Sequence, residues 1–254
     1  MADSPSYATL TPYLTSPKAG ELVEFVKAAF GAIELYRGTG SAGGLHADVQ
    51  IADSKLMIGG APGMKPGDEN RVGLHYYIPD ADAVYQRAVQ AGAISVREPV
   101  NQAYGDREAS LKDPAGNPWY IATHLGSTGY LPTGLRSVTP FLHIQGAAGF
   151  IEFLHKAFSA EVVDRMASPE GVVHYARLRI GDSALELSEA HGEHGPLNSM
   201  FYLFVADADA AYEQALAAGA TSKEKPADQD YGHRRAAVKD AFGNIWYPAS
   251  NLAR

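Results

Sequence analysis

Glu186 stands between Leu185 and Leu187, and two twinned segments carry the other groups whose types and spacing could do chemistry: Tyr104, Arg107, Trp119 and Tyr120, then Tyr231, Arg234, Trp246 and Tyr247. Side chains alternate across a strand, so if the leucines turn to a core, Glu186 faces the other way, where a carboxylate can serve as a base. The bland alternative is a solvated acid paired with Arg177 or Arg179. Arg107 and Arg234 can clamp a carboxylate or phosphate bidentately, or make a structural pair with Asp106 or Asp230. Tyr120 and Tyr247 follow Trp119 and Trp246 on the opposite strand face, so one ring of each pair points inward. A pocket lined by such rings suits a planar or apolar ligand, although aromatic rings also simply fill cores. The run Glu189-Ala190-His191-Gly192-Glu193-His194 gathers acids and imidazoles that could bind a metal, while its glycine and lack of periodicity fit a flexible, solvated cover. No nucleophile elbow, phosphate-cradling glycine loop or serine–histidine–acid signature occurs.

These groups are twinned because the chain is duplicated. Thr11-Pro12-Tyr13-Leu14 returns as Thr139-Pro140-Phe141-Leu142, an offset of 128 residues, and Phe25 to Phe30 returns as Phe153 to Phe158. Ala52-Asp53-Ser54 answers Gly181-Asp182-Ser183, and Asp80-Ala81-Asp82-Ala83 answers Asp207-Ala208-Asp209-Ala210, so single-residue slips mark loop insertions. Lys112-Asp113 to Trp119-Tyr120 matches Lys239-Asp240 to Trp246-Tyr247. The repeat spans both halves and predicts two domains, 1–126 and 127–254, joined by a short Gly- and Pro-bearing linker near 126–136.

Each half reads twice as strand, helix and three strands. Leu22, Phe25, Val26, Ala29 and Phe30 form one apolar helical stripe, and Phe150, Phe153, Leu154, Ala157 and Phe158 form its twin. Second helices open at the N-cap residues Asp80 and Asp207 and stop at Gly92 and Gly219. His46 to Ile51, Gly73 to Ile78, His174 to Ile180 and Met200 to Val205 read as antiparallel strands, and Asp113 to Asn117 and Asp240 to Asn244 as tight turns before the last strand of each half.

The chain has 254 residues, 21 Lys plus Arg against 29 Asp plus Glu, and no Cys. The net charge of −8 and the lack of a basic run argue against nucleic acid. Absence of cysteine excludes disulfides, thiolate zinc and a cysteine nucleophile and suits a reducing cytoplasm, where the protein is expected. Met1 to Pro5 carries an acid and a proline instead of a basic, then apolar, export signal, and no stretch of about 18 apolar residues could span a membrane.

Four strand–helix–three-strand modules, the D-x-x-G-N-x-W-Y ending of each half, the PWYIATH segment (Pro118 to His124) and the YGDR segment (Tyr104 to Arg107) resemble the vicinal oxygen chelate superfamily, nearest to tandem glyoxalase/bleomycin-resistance proteins of the PhnB-like branch. The resemblance covers residues 7 to 250 and implies an α+β fold of four βαβββ modules in two tandem domains that form partly open barrels. It also implies that enzymes of the family hold a divalent metal, such as Zn, Ni, Mn or Fe, which binds vicinal oxygens of the substrate. Carried over position by position, the metal ligands fall on Thr11, Met57, Leu74 and Tyr120 in the first half and on Thr139, Glu186, Phe201 and Tyr247 in the second, where only Glu186 is an ordinary ligand. A register slip of one would bring in His75. His143 shares the strand face of Phe141 and Thr139, so His143, His174 and Glu186 are the candidate metal set; the ordinary alternative for His174, as for its twin His46, is a solvated or hydrogen-bonded imidazole.

Two functions follow as expectations. One is a small-molecule binding protein with an aromatic-lined cavity in each half and no obligatory metal. The other is a metal-dependent lyase, isomerase or dioxygenase with a single site in the second half and Glu186 as ligand or base. The duplication can supply internally the pairing that single-domain relatives get by dimerising, which predicts a monomer, with a homodimer as the alternative.

Overall fold

A computed structural model describes residues 7–127, 129–192 and 194–252; Glu193 of the acid–imidazole loop and the Met1 to Pro5 segment lie outside them. The order is β1 (Leu10–Thr15), α1 (Ala19–Phe30), β2 (Ile33–Thr39), β3 (Leu45–Ile51), β4 (Ser54–Gly59); then β5 (Leu74–Tyr77), α2 (Ala81–Gln90), β6 (Ile94–Asn101), β7 (Asp106–Lys112), β8 (Pro118–His124). The second repeat runs β9 (Val138–Ile144), α3 (Ala147–Phe158), β10 (Glu161–Ala167), β11 (Val173–Ile180), β12 (Ser183–Glu189); then β13 (Met200–Phe204), α4 (Ala208–Ala217), β14 (Thr221–Asp228), β15 (His233–Lys239), β16 (Ile245–Asn251). This is the expected strand–helix–three-strand module repeated through the described residues.

The strands form two eight-stranded sheets, ordered β14-β15-β16-β13-β1-β4-β3-β2 and β10-β11-β12-β9-β5-β8-β7-β6. Each sheet ends on two edge strands, so neither closes into a complete barrel. The runs His46 to Ile51 and His174 to Ile180 lie in strands antiparallel to both neighbours, as expected, whereas Gly73 to Ile78 and Met200 to Val205 hold strands that are antiparallel to one neighbour and parallel to the other. The first strand of a module lies beside its fourth and runs parallel to it, as in the pairs β1–β4, β5–β8 and β13–β16. The chain crosses back through the helix and the two outer strands, and such a crossover brings strands together in parallel.

The described residues form two compact units, one within 13–141 and one within 142–252 together with the segment 7–12. The divisions fall inside β1 and β9, whereas the composition of the linker suggested one near 126–136.

Helix positions follow from local chemistry. All five residues of each apolar stripe, Leu22 to Phe30 and Phe150 to Phe158, are buried. Asp80 accepts a hydrogen bond from the Ala83 N–H at 2.9 Å, and Asp207 from Ala210 at 3.0 Å, so both predicted N-caps operate. Helix α1 ends on Gly31 at φ 68°, whereas α3 ends at the equivalent Ser159, at φ 54°.

The D-x-x-G-N-x-W ending is a buried knot around one carboxylate. Asp113 accepts from the Ala115 and Asn117 backbone N–H groups at 2.9 and 3.0 Å, from the Asn117 amide at 2.8 Å and from the Trp119 indole at 3.0 Å. The Asn117 amide oxygen in turn accepts from the Val72 N–H at 3.1 Å and so ties the turn to the approach to β5. Asp240, Asn244, Trp246 and Ser199 repeat the arrangement.

Candidate functional site

The helix-bearing face of each sheet is set by the tryptophans. Trp119 is fully buried with its ring centroid 4.4 Å from Phe30 of α1, and Trp246 is fully buried 4.9 Å from Phe158 of α3. Together with their indole–carboxylate bonds this makes both tryptophans core residues, which corrects their assignment as ligand-binding groups. Tyr120 and Tyr247 point to the opposite, helix-free face.

In the unit 13–141 that face carries an array of paired charges. Direct cross-strand neighbours share a face: His75 opposite Tyr120, Ser110 opposite Tyr120, Glu108 opposite Ala122, and Asp106 opposite His124. The His75 Nε2 lies 3.0 Å from a carboxylate oxygen of Glu108, and Arg97 of β6 donates to the other oxygen. Tyr104 is 63% exposed, yet its hydroxyl reaches Glu108. Burial pushes the Glu108 carboxyl up, but hydrogen bonds from His75 and Tyr104 and the charges of His75 and Arg97 outweigh it and hold the group below its usual 4.5. One step along, Asp106 accepts from the Tyr77 hydroxyl at 3.1 Å and pairs with the His124 Nδ1 at 2.7 Å. Phe141 closes one side, 5.4 Å from the rings of both His75 and Tyr120. An imidazole held against a buried carboxylate can hold or pass a proton, and two such pairs stand here within one sheet face.

In the other unit the same face is built from tyrosines around a guanidinium. Tyr202 stacks on Tyr247 at 5.2 Å, and Arg235 lies 4.7 Å over the Tyr247 ring. The Tyr231 hydroxyl is 3.3 Å from that of Tyr202, and Glu224 of β14 accepts from Arg235. Burial pushes the Tyr247 hydroxyl up to about 12 against the opposing charge of Arg235.

Arg107 and Arg234 take no part in either face. Arg107 grips Asp82 at the start of α2 through both carboxylate oxygens, at 2.5 and 2.6 Å, and also reaches Asn101 at 3.2 Å. Arg234 grips Asp209 and bonds Asp228 at 2.7 Å. The ligand-clamp assignment is thus corrected to a helix-to-strand brace, and the structural alternative is corrected as to partner, since Asp106 faces His124 instead.

The candidate metal set is dispersed. His174 is exposed at the start of β11. Glu186 is 1% exposed, as expected on the face opposite the buried Leu185 and Leu187, and accepts from the Tyr175 hydroxyl at 2.7 Å. The His143 Nδ1 is 2.8 Å from the Ser188 hydroxyl, and its ring stacks on His194 at 4.7 Å. His191 and His194 exchange backbone hydrogen bonds of 3.1 and 2.8 Å. Glu189 accepts from the Gly146 and Ala147 N–H groups at the start of α3, at 2.7 and 2.9 Å.

The family model described as Glyoxalase/Bleomycin resistance protein/Dioxygenase superfamily matches residues 144–247. An uncharacterized protein of Mycobacterium bovis is 34% identical over 122 residues, which cover 44% of this chain and 80% of that protein. The chain belongs to the glyoxalase/bleomycin resistance protein/dioxygenase superfamily. An uncharacterized protein of Mycobacterium tuberculosis H37Rv is likewise 34% identical over 122 residues, 44% of this chain and 72% of that protein. Among solved structures, glyoxalase I from Zea mays superposes with a TM-score of 0.74 at 14% identity, covering 97% of this chain and 93% of that one. A putative dioxygenase from Bacillus subtilis gives 0.61 at 12% identity, covering 98% and 87%. At such identities these structures share the fold.

The described donors do not make up the divalent-metal site that the resemblance implied. Among the described residues no group of three or more His, Asp or Glu is placed to hold a metal ion. Leu74 and Phe201 face the helices, beside Trp119 and Trp246, so His75 and Tyr202 are the residues of β5 and β13 that share the face of Tyr120 and Tyr247. Register reasoning failed there because β5 is buried on both faces, which erases the alternation that would have fixed it. Glu108, His124, Arg97, Arg235 and Glu224 carried no assigned role in the sequence, and Asp106 entered only as a partner for Arg107. The period-two spacing of Asp106, Glu108 and Ser110 along β7 was the available signal.

Proposed function

We propose that the protein binds small organic molecules on the helix-free faces of its sheets, without using a metal to chelate them. The observation that carries this reading is the chemistry of those faces. Where superfamily enzymes present converging metal ligands, this chain presents the stacked Tyr202 and Tyr247 with Arg235 in one unit. In the other it presents Tyr120, Phe141 and His75 beside Glu108. Aromatic walls with a few fixed polar groups bury a planar ligand and orient it.

The test is a calorimetric and tyrosine-fluorescence titration of the full chain with the planar probes 1-naphthoate and 1-naphthalenemethanol, before and after dialysis against a chelator, with elemental analysis of the same sample. Saturable binding that survives chelation is expected. Binding that disappears with chelation and returns only with Zn, Ni, Mn or Fe would overturn the reading in favour of the metal-dependent alternative.

A further inference from the structure

One ion pair survives the duplication with its polarity reversed. Arg97 on β6 and Glu108 on β7 are replaced, at the same two positions 127 residues on, by Glu224 on β14 and Arg235 on β15. Both pairs remain joined, Arg97 to Glu108 and Arg235 to Glu224. Local register is kept as well: Arg97 lies opposite Ser110 and Glu224 opposite the equivalent Ala237.

The partners in each pair are not equally placed. The inner side chain is buried, Glu108 at 5% and Arg235 at 8% exposure, while the outer one is open to solvent, Arg97 at 42% and Glu224 at 52%. The outer residues also sit on edge strands of their sheets. A buried charge is costly without a counter-charge, so the inner residue demands a partner. The exposed outer side chain gains little from a solvated pair and gives up rotamer freedom to make it, so it is the exchangeable member. A ligand carrying the outer residue's charge can therefore take its place.

At Arg235 that ligand is an anion, and its body is specified by the surroundings. The guanidinium rests on Tyr247, Tyr247 stacks on Tyr202 with planes 29° apart, and the 44%-exposed Tyr231 flanks them. A guanidinium fork matches a carboxylate bidentately, and parallel rings accept a flat apolar body. We infer that the Arg235 face takes a planar aromatic carboxylate, that Glu224 occupies the anion position until such a ligand arrives, and that the Glu108 face of the other unit rejects anions. This rests on the binding reading above and assigns a ligand class to one of its two faces.

The experiment is isothermal titration of the full chain with 1-naphthoate and with the uncharged 1-naphthalenemethanol at low ionic strength. A single equivalent of naphthoate should bind about tenfold more tightly than the alcohol, the ratio expected of one charge-assisted bidentate contact. Arg235→Gln should erase that ratio. Glu224→Gln, which removes the competing carboxylate, should tighten naphthoate several-fold and leave the alcohol unchanged, whereas Arg97→Gln should leave naphthoate unchanged. Equal affinities for acid and alcohol in the parent protein would overturn the inference and leave the binding reading standing; no binding of either probe would overturn both. Should Arg235→Gln fail to fold, the Glu224→Gln result decides alone, because that side chain is half exposed, and naphthoate affinity that is unchanged or weakened in this variant would overturn the inference.

Discussion

The Trp119 indole donates to the Asp113 carboxylate at 3.0 Å, and 127 residues on the Trp246 indole donates to Asp240 at 2.8 Å. Each carboxylate gathers donors from its own turn and from the tryptophan that anchors the next strand against a helix. The most recognisable motif of the chain is therefore a device for folding and identifies no activity.

The knot should be expensive to break. Asp113→Ala leaves two backbone N–H groups, an amide and an indole N–H buried with no acceptor, and the stability of the protein should fall by about 2 to 4 kcal/mol. Urea unfolding measures this. A loss below about 1 kcal/mol would mean that water or a rearranged turn replaces the carboxylate.

The two repeats disagree at one helix end, and the disagreement predicts a stabilising change. Ser159 sits at φ 54° where its twin Gly31 sits at φ 68°. A side chain in the left-handed region is strained, while glycine is not, although glycine gives up more freedom on folding. Ser159→Gly should raise stability by about 0.5 to 1 kcal/mol, visible as a higher thermal midpoint. A lower midpoint would show that the Ser159 side chain contributes more than its backbone costs.

Glu108 makes stability depend on acid pH. Its carboxyl titrates lower in the folded chain than the ordinary 4.5, so its contribution is fully present above that pH and is lost as the pH falls through the lowered folded value. Glu108→Gln removes this contribution. The thermal midpoint of the variant should start lower at neutral pH and fall less steeply than that of the parent below pH 4.5. Parallel pH curves for the two proteins would assign the acid sensitivity to other carboxylates.

What the sequence determined by itself is whatever is written within one or two turns of chain. The stripes of α1 and α3, the caps at Asp80 and Asp207 and the turns at Asp113 and Asp240 all appear where their spacing placed them, because helix periodicity and capping act between residues three or four apart. The duplication, also legible in the residues, announced that each element occurs twice. Tertiary structure alone decided the pairings that join distant segments. Arg107 chose Asp82, 25 residues away, over its neighbour Asp106, because β7 turns alternate side chains to opposite faces and Asp106 lies across the sheet beside His124. His75, not Leu74, faces the site, which alternation along β5 does not reveal because the strand is buried on both sides and its register is fixed by β8 and β9. The reversed pairs Arg97–Glu108 and Glu224–Arg235 stand in the sequence as four unremarkable surface-type residues. They become a buried charge and its exposed counterpart only once an edge strand is laid against its neighbour, since burial belongs to the assembled sheet and not to the residue.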